Sequence, residues 1–69
     1  MGIKGGPEFV RLRELEKGCI LVFPWAAAPD QAVKQYIYTR RRCSYLQQEQ
    51  DKVFRIKAIP EGIRVEREA

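Results

Sequence analysis

Basic and aromatic side chains recur in the middle of this sequence at a spacing that suits the binding of an anion. Four of them follow one another at intervals of four, three and four positions, with a fifth alongside: Lys34, Tyr38, Arg41, Tyr45 and Arg42. On a helix these intervals place side chains on one face. Cations there can neutralise phosphates, and tyrosines among them can stack on bases. We call these five residues the helix stripe.

Three interpretations of the helix stripe stay open. A helix fits a DNA major groove, where arginine can pair with guanine, so the stripe predicts a nucleic-acid surface. Tyrosine and arginine are also enriched in protein interfaces, which favours docking onto an acidic host protein. The third interpretation is a solvated face whose tyrosines lie flat over their neighbours. Two exposed tyrosines favour the first two.

A second basic patch is expected on the outward face of a C-terminal hairpin. It contains Arg55, Lys57 and Arg64, with Arg67 at its end and Glu66 partly neutralising it. Like charges opposite one another on neighbouring strands are unfavourable unless an anion lies over them. The patch therefore predicts either a second contact with a polyanion or ordinary protection of a sheet edge by charge.

The residue types give little support to catalysis or metal binding. The chain has no histidine, and Cys19 and Cys43 stand far apart, without a metal-ligand spacing. No glycine-rich phosphate loop precedes a helix. We expect a protein that binds and does not catalyse, with no cofactor and no metal, and with both cysteines buried as small core residues.

Length and composition predict one small basic domain. The chain has 69 residues, 45% of them hydrophobic and 32% charged, which is typical of a globular domain with a single core. Thirteen Lys and Arg against nine Asp and Glu give a net charge of +4, which favours an anionic partner. Such a small core is marginally stable, so a homodimer is a further possibility. We find no apolar stretch long enough for a signal peptide or a membrane span, which predicts a cytoplasmic location.

The N-terminal part is expected to be a flexible lead-in followed by a strand. Residues 1–8 carry three glycines and a proline without apolar periodicity, so the single α+β domain is assigned to residues 9–69. Residues 9–13 alternate between apolar and basic side chains, which predicts a half-buried strand. The continuous apolar run 19–23 predicts a central strand, buried on both faces.

A long helix is predicted next, because residues 30–49 contain no Gly or Pro, a proline precedes them, and Asp30 supplies an acidic residue in the first turn. At 100° per residue its core face holds the following side chains: Ala32, Val33, Tyr36, Ile37, Cys43 and Leu46. Trp25, in the preceding connection, is expected to cover one end of the core.

The C-terminal part predicts a hairpin. Residues 52–59 and 63–67 alternate, and the segment 60–62 between them supplies a proline and a glycine for the turn. The expected inward side chains are Phe54, Ile56, Ala58, Ile63 and Val65. The predicted fold is a small three- to four-stranded, mainly antiparallel sheet packed on one helix, in the order β-β-α-β-β.

The C-terminal half also resembles a group of known proteins. The helix, the segment Phe54-Arg55-Ile56 and the strand Gly62-Ile63-Arg64-Val65-Glu66-Arg67 are similar to small uncharacterised proteins of bacteriophages and prophages, which end in a helix and a hairpin with a G-x-R-V-x-R-like strand. The resemblance implies a phage origin, with DNA binding and transcription regulation, or inhibition of a host protein, as the common roles. Our first hypothesis is a DNA-binding accessory or regulatory protein that uses the helix stripe and the hairpin arginines. The alternative is a phage-type inhibitor that docks the same stripe on a host or defence protein.

Overall fold

Two helices and three strands make up residues 6–69, the part of the chain that the computed structural model describes. In chain order they are α1 (Pro7–Arg13), β1 (Ile20–Pro24), α2 (Pro29–Gln50), β2 (Phe54–Ile59) and β3 (Gly62–Arg67). The α+β class is confirmed. The predicted β-β-α-β-β order and fourth strand are wrong, because the first predicted strand is a helix. Residues 1–5 of the expected lead-in lie outside the described residues.

Helix α1 begins at Pro7, which occupies the first helical position, where its missing N–H costs nothing. Glu8 lies in the first turn, and two arginines lie in the last turn, as the helix dipole prefers. Phe9 and Leu12, three positions apart, are both buried, whereas Val10 is partly exposed. The apolar-basic alternation of residues 9–13 was therefore misleading, and the buried pair follows the helical spacing of three.

The sheet has β3 at its centre, with β1 and β2 antiparallel to it on either side. Strands β1 and β2 thus run parallel to each other, and α2 connects them in a split β-α-β arrangement. The prediction of a central strand at residues 19–23 is wrong, since β1 is an edge strand covered on one face. Phe23 is buried, but Ile20 is 46% and Val22 38% exposed.

The core lies between one face of the sheet and the two helices. Its buried apolar side chains are Phe9, Leu12, Leu15, Phe23, Cys43, Leu46, Phe54, Ile63 and Val65. The hairpin is confirmed, with Ile63 and Val65 fully buried at the centre of the sheet. Trp25 packs against this core as predicted. Of the other side chains expected to point inward, Ile56 is half-buried and Ala58 is exposed.

Helix α2 is confirmed, but its buried face is rotated from the predicted one. Thr39, Cys43 and Leu46 are its buried residues, whereas Val33 and Ile37 are exposed. At 100° per residue this is a rotation of about 50°. The cause is α1, which packs along one flank of α2 and so buries that flank.

Two basic side chains tie the ends of the elements together. The Arg67 guanidinium donates to the Leu15 and Ala69 carbonyls, each at 2.9 Å. The Lys52 ammonium donates to the Arg13 carbonyl at the end of α1. Burial lowers the pKa of Lys52, and the nearby positive charges of Arg67 and Arg13 lower it further.

Candidate functional site

The structure divides the eight predicted binding residues between two surfaces. Both helices pack on the same face of the sheet, and the other face is left without a covering element among residues 6–69. The helix stripe lies on α2, and three hairpin cations lie on the uncovered face: Arg55, Lys57 and Arg64. The two sets therefore point to opposite sides of a two-layer molecule and do not form one site.

The uncovered face, which we call the open sheet face, is organised in rows across the three strands. In one row Arg64 of β3 lies opposite Val22 of β1 and Lys57 of β2. In the neighbouring row Glu66 lies between Ile20 and Arg55. The face thus combines a band of cations on β2 and β3 with an apolar edge on β1.

Acidic side chains neutralise only part of the open sheet face. Arg55 pairs with Glu68 at 2.9 Å, and Arg64 contacts Glu66 at 3.4 Å. Both pairs are accessible to solvent and are worth little. Lys57 is exposed and forms no ion pair with any residue from 6 to 69. The direct pairing of Lys57 with Arg64 therefore leaves a positive centre on the face.

Arg67 does not belong to this face, contrary to the prediction. It alternates with Glu66 along β3, so its side chain turns toward the helices, where it donates to the Leu15 carbonyl. The hairpin patch consists of the other three cations.

The helix stripe is shorter than predicted. Lys34, Tyr38 and Arg41 are exposed, and the Arg41 guanidinium carbon lies 5.9 Å from the centroid of the Tyr38 ring, a cation–π distance. Tyr45 is instead half-buried against the core, with its ring centroid 5.9 Å from that of Phe9 in α1. The expectation that it faces away from the core is wrong, because α1 covers this flank.

Arg42, the fifth residue of the stripe, is half-buried between the exposed and core faces of α2. Its Nε is buried and has no hydrogen-bond partner within residues 6–69. Arg42 is therefore poorly placed for wide contact with a partner. Three residues of the stripe remain as an outward-facing set.

An apolar groove lies on the other flank of α2, and the sequence did not predict it. It is a shallow, open groove of about 350 Å³, and its lining residues are Trp25, Ala32, Val33, Tyr36, Ile37 and Ala58. Four of these residues were assigned to the core face of α2, namely Ala32, Val33, Tyr36 and Ile37. Two of the four are exposed, Val33 by 61% and Ile37 by 43%. Two features of the sequence could have indicated it. A tryptophan lies in the connection just before α2, and α2 has more apolar residues than its core face can bury.

Hydrogen bonds hold the wall of this groove in place. The Trp25 indole N–H donates to the Ile59 carbonyl at 2.7 Å. The Gln35 side chain donates to the Pro24 carbonyl at 2.8 Å and accepts from the Ala26 N–H at 3.0 Å. The loop that carries Trp25 is thus fastened both to β2 and to α2.

A second, basic concavity continues the apolar groove along α2. It measures about 290 Å³, and its lining residues are Ile37, Arg40, Arg41 and Ser44. Ile37 belongs to both concavities. The Arg40 guanidinium carbon lies 6.0 Å from the ring centroid of Tyr36, so Arg40 lies next to a residue that lines the apolar groove.

The cysteines differ from each other. Cys43 is buried, and burial raises the pKa of its thiol to about 12, against a smaller lowering by Arg42. Cys19 is exposed just before β1, so the prediction that both cysteines are core residues is wrong for Cys19. Residues 6–69 contain no cluster of three or more side chains suited to a metal ion.

Comparisons of the chain with protein-family models, with curated proteins and with solved structures give no match. Within the described part of the chain, neither helix is long and apolar enough to cross a membrane.

Proposed function

We propose that this chain is a small basic nucleic-acid-binding protein of phage type, an accessory or regulatory protein that binds DNA in the cytoplasm and catalyses no reaction. The observation that carries the proposal is the pairing of Lys57 with Arg64 on the open sheet face. Two cations side by side on neighbouring strands destabilise a sheet unless an anion lies over them. A phosphate backbone supplies such an anion.

The mechanism is mainly phosphate neutralisation. Antiparallel strands are used by several proteins to enter a DNA groove, and the open sheet face offers Arg55, Lys57 and Arg64 for this purpose. Val22 and Ile20 lie beside these cations and can contact sugars or thymine methyl groups. The exposed stripe residues on α2 face the other way and are not needed for this contact.

Salt dependence of binding tests the proposal. We expect fluorescence anisotropy with labelled duplex DNA to show binding that weakens steeply as salt rises. In the Lys57→Glu/Arg64→Glu variant the slope of log K against log salt should fall by about two, because two phosphate contacts are lost. The control is Arg13→Glu/Lys17→Glu, which changes net charge equally but alters α1 and the loop after it.

Several outcomes would contradict the proposal. Absence of binding to duplex DNA, single-stranded DNA and RNA at low salt would exclude it. An equal loss in both double variants would mean that only net charge matters. If Lys34→Glu/Arg41→Glu removed binding while the sheet variant kept it, the contact would lie on α2 as first predicted.

A second candidate is a phage-type inhibitor that docks on an acidic host or defence protein. The apolar groove beside Arg40 and Arg41 favours it, because nucleic acid gains little from an apolar groove whereas protein partners bury such surface. A stoichiometric protein partner that stays bound after nuclease treatment would support this candidate.

A further inference from the structure

We infer that the apolar groove on α2 is a docking site for an acidic amphipathic helix of a partner protein. The inference concerns a surface other than the open sheet face and does not depend on nucleic-acid binding. It goes beyond the inhibitor hypothesis by giving the docking position and the chemistry of the occupant.

The groove exposes a group of neighbouring apolar side chains to water. Val33 and Ile37 project from α2 beside the Trp25 ring, and Tyr36 and Ala58 complete a continuous apolar lining. Contiguous exposed apolar surface marks interaction sites. Tryptophan and tyrosine in a concave setting are the residues that most often dominate binding energy.

The walls of the groove are already in position for binding. The hydrogen bonds from Trp25 to Ile59 and from Gln35 to the 24–26 loop fix the tryptophan ring against α2. An occupant would not have to order this loop, so less conformational entropy is lost on binding.

The charge around the groove selects an acidic occupant. Arg40 and Arg41 line the adjoining concavity, Arg40 lies beside Tyr36 of the groove, and Lys34 is exposed next to Val33. Among residues 6–69, no aspartate or glutamate lines either concavity. Carboxylates flanking an apolar stripe would meet these cations, as complementary potentials across interfaces do.

A second copy of the chain fits this groove poorly. Two antiparallel α2 helices related by a two-fold axis at Ile37 would bring Lys34 of each copy against Arg40 of the other. Like charges in such a contact are repulsive. The symmetric dimer is therefore disfavoured, whereas a helix carrying glutamates at these positions would be attracted.

The dimensions suit a helix. The two concavities run along α2 from Ala32 to Ser44, a distance of about 18 Å at 1.5 Å per residue. This length accommodates about three turns of a partner helix, with apolar anchors at positions i, i+4 and i+7.

Trp25 provides the measurement, because it is the only tryptophan in the chain and lines the groove. The probe is a synthetic helical peptide with leucines at i, i+4 and i+7 and glutamates on both flanks. A control peptide carries lysines in place of the glutamates. We expect a saturable change in Trp25 fluorescence with the acidic peptide, and binding of the basic peptide weaker by about tenfold or more.

Variants locate the site. Ile37→Glu should weaken binding of the acidic peptide by about tenfold or more, because it places a charge in the groove. Val53→Glu is the matched control, since Val53 is 45% exposed against 43% for Ile37 but lies outside both concavities. The Arg40→Glu/Arg41→Glu variant should reverse the preference and bind the basic peptide more tightly.

Four results would overturn the inference. Two concern the peptides: the acidic peptide shows no saturable binding, or it binds with the same affinity as the basic peptide. The third is an equal effect of Ile37→Glu and Val53→Glu on peptide binding. The fourth is concentration-dependent dimerisation of the protein that Ile37→Glu abolishes. The Lys57→Glu/Arg64→Glu variant should leave peptide affinity unchanged. Failure of nucleic-acid binding and failure of peptide docking can thus be told apart.

Discussion

Gly62 allows the start of β3 to lie close to the end of β1. It begins β3 opposite Pro24, and a β-carbon at this position would lie 2.1 Å from the Phe23 carbonyl oxygen. Because that atom belongs to the backbone of β1, no side-chain rotation can relieve the overlap. The strands approach closely only because residue 62 has no side chain.

We therefore expect Gly62→Ala to lower the free energy of unfolding by about 2 kcal/mol or more. Gly18→Ala is the control. It also has a positive φ, of 83°, but its β-carbon would meet no atom within 4 Å, so its cost should be limited to backbone strain of about 1 kcal/mol. Urea denaturation of both variants measures the difference, and equal costs would argue against the close approach at Gly62.

The two thiols should differ in reactivity and in their effect on stability. Cys43 has its pKa raised from 9.0 to about 12 by burial, so the folded state favours the protonated thiol. The stability this contributes is fully present below pH 9 and should be lost as the pH rises toward 12. A thiol-specific reagent should label Cys19 quickly in the native protein and Cys43 only on unfolding.

Urea denaturation at several alkaline pH values checks the sign of this effect. In the Cys19→Ala variant, the free energy of unfolding should fall as the pH rises from 9 toward 12. Adding Cys43→Ala should remove that part of the pH dependence. Rapid labelling of both thiols in the native state would contradict the burial of Cys43.

At the scale of the element, α1 offers a direct test of helix against strand. A helix buries Phe9 and Leu12, three positions apart, whereas a strand would bury Val10 with Leu12. We expect Phe9→Ala to cost about 3 kcal/mol or more and Val10→Ala about 0.5 kcal/mol. Thermal and urea unfolding would measure both variants. A larger cost at Val10 than at Phe9 would restore the strand interpretation.

The elements that were predictable are those with one consistent period. Helix α2 has no Gly or Pro to interrupt it, and the hairpin has a turn between two alternating runs. Helix α1 has only seven residues, too few to separate the two periods, and its proline could equally end a lead-in. Local sequence did not distinguish these possibilities.

The candidate site was predicted only in part, because it depends on how the elements pack. The alternation of residues along the hairpin was enough to predict that its cations share one face, and Arg55, Lys57 and Arg64 lie together as expected. Tyr45 was misplaced because α1 covers it, and the same rotation of α2 exposed Val33 and Ile37. The groove therefore became visible only in the assembled structure.

At the scale of the whole molecule, two proposed binding surfaces share a very thin body. Its smallest extent is 16 Å. The Debye length is about 8 Å at physiological ionic strength, so charges on one side are largely screened from the other. Both proposed ligands are anionic, and they should repel each other only when salt is low.

We therefore expect DNA and the acidic peptide to bind at the same time. At physiological salt, saturating duplex DNA should change the affinity for the peptide, measured by Trp25 fluorescence, by about twofold or less. At ~0.01 M salt the Debye length is about 30 Å, so charges on the two surfaces are less screened. Saturating DNA should then lower the affinity for the peptide by more than it does at physiological salt. Complete displacement of the peptide by DNA at physiological salt would mean that both ligands use one surface.

The central position of β3 also sets the order in which the fold can assemble. Strand β1 is synthesised before β3, and within residues 6–69 it has no strand to pair with until residues 62–67 have been made. Strand β2 meets β3 through a short turn and can form a hairpin locally, whereas β1 must wait for a contact distant in sequence. Until then, the backbone N–H and C=O groups of β1 lack the strand partner that they have in the folded protein.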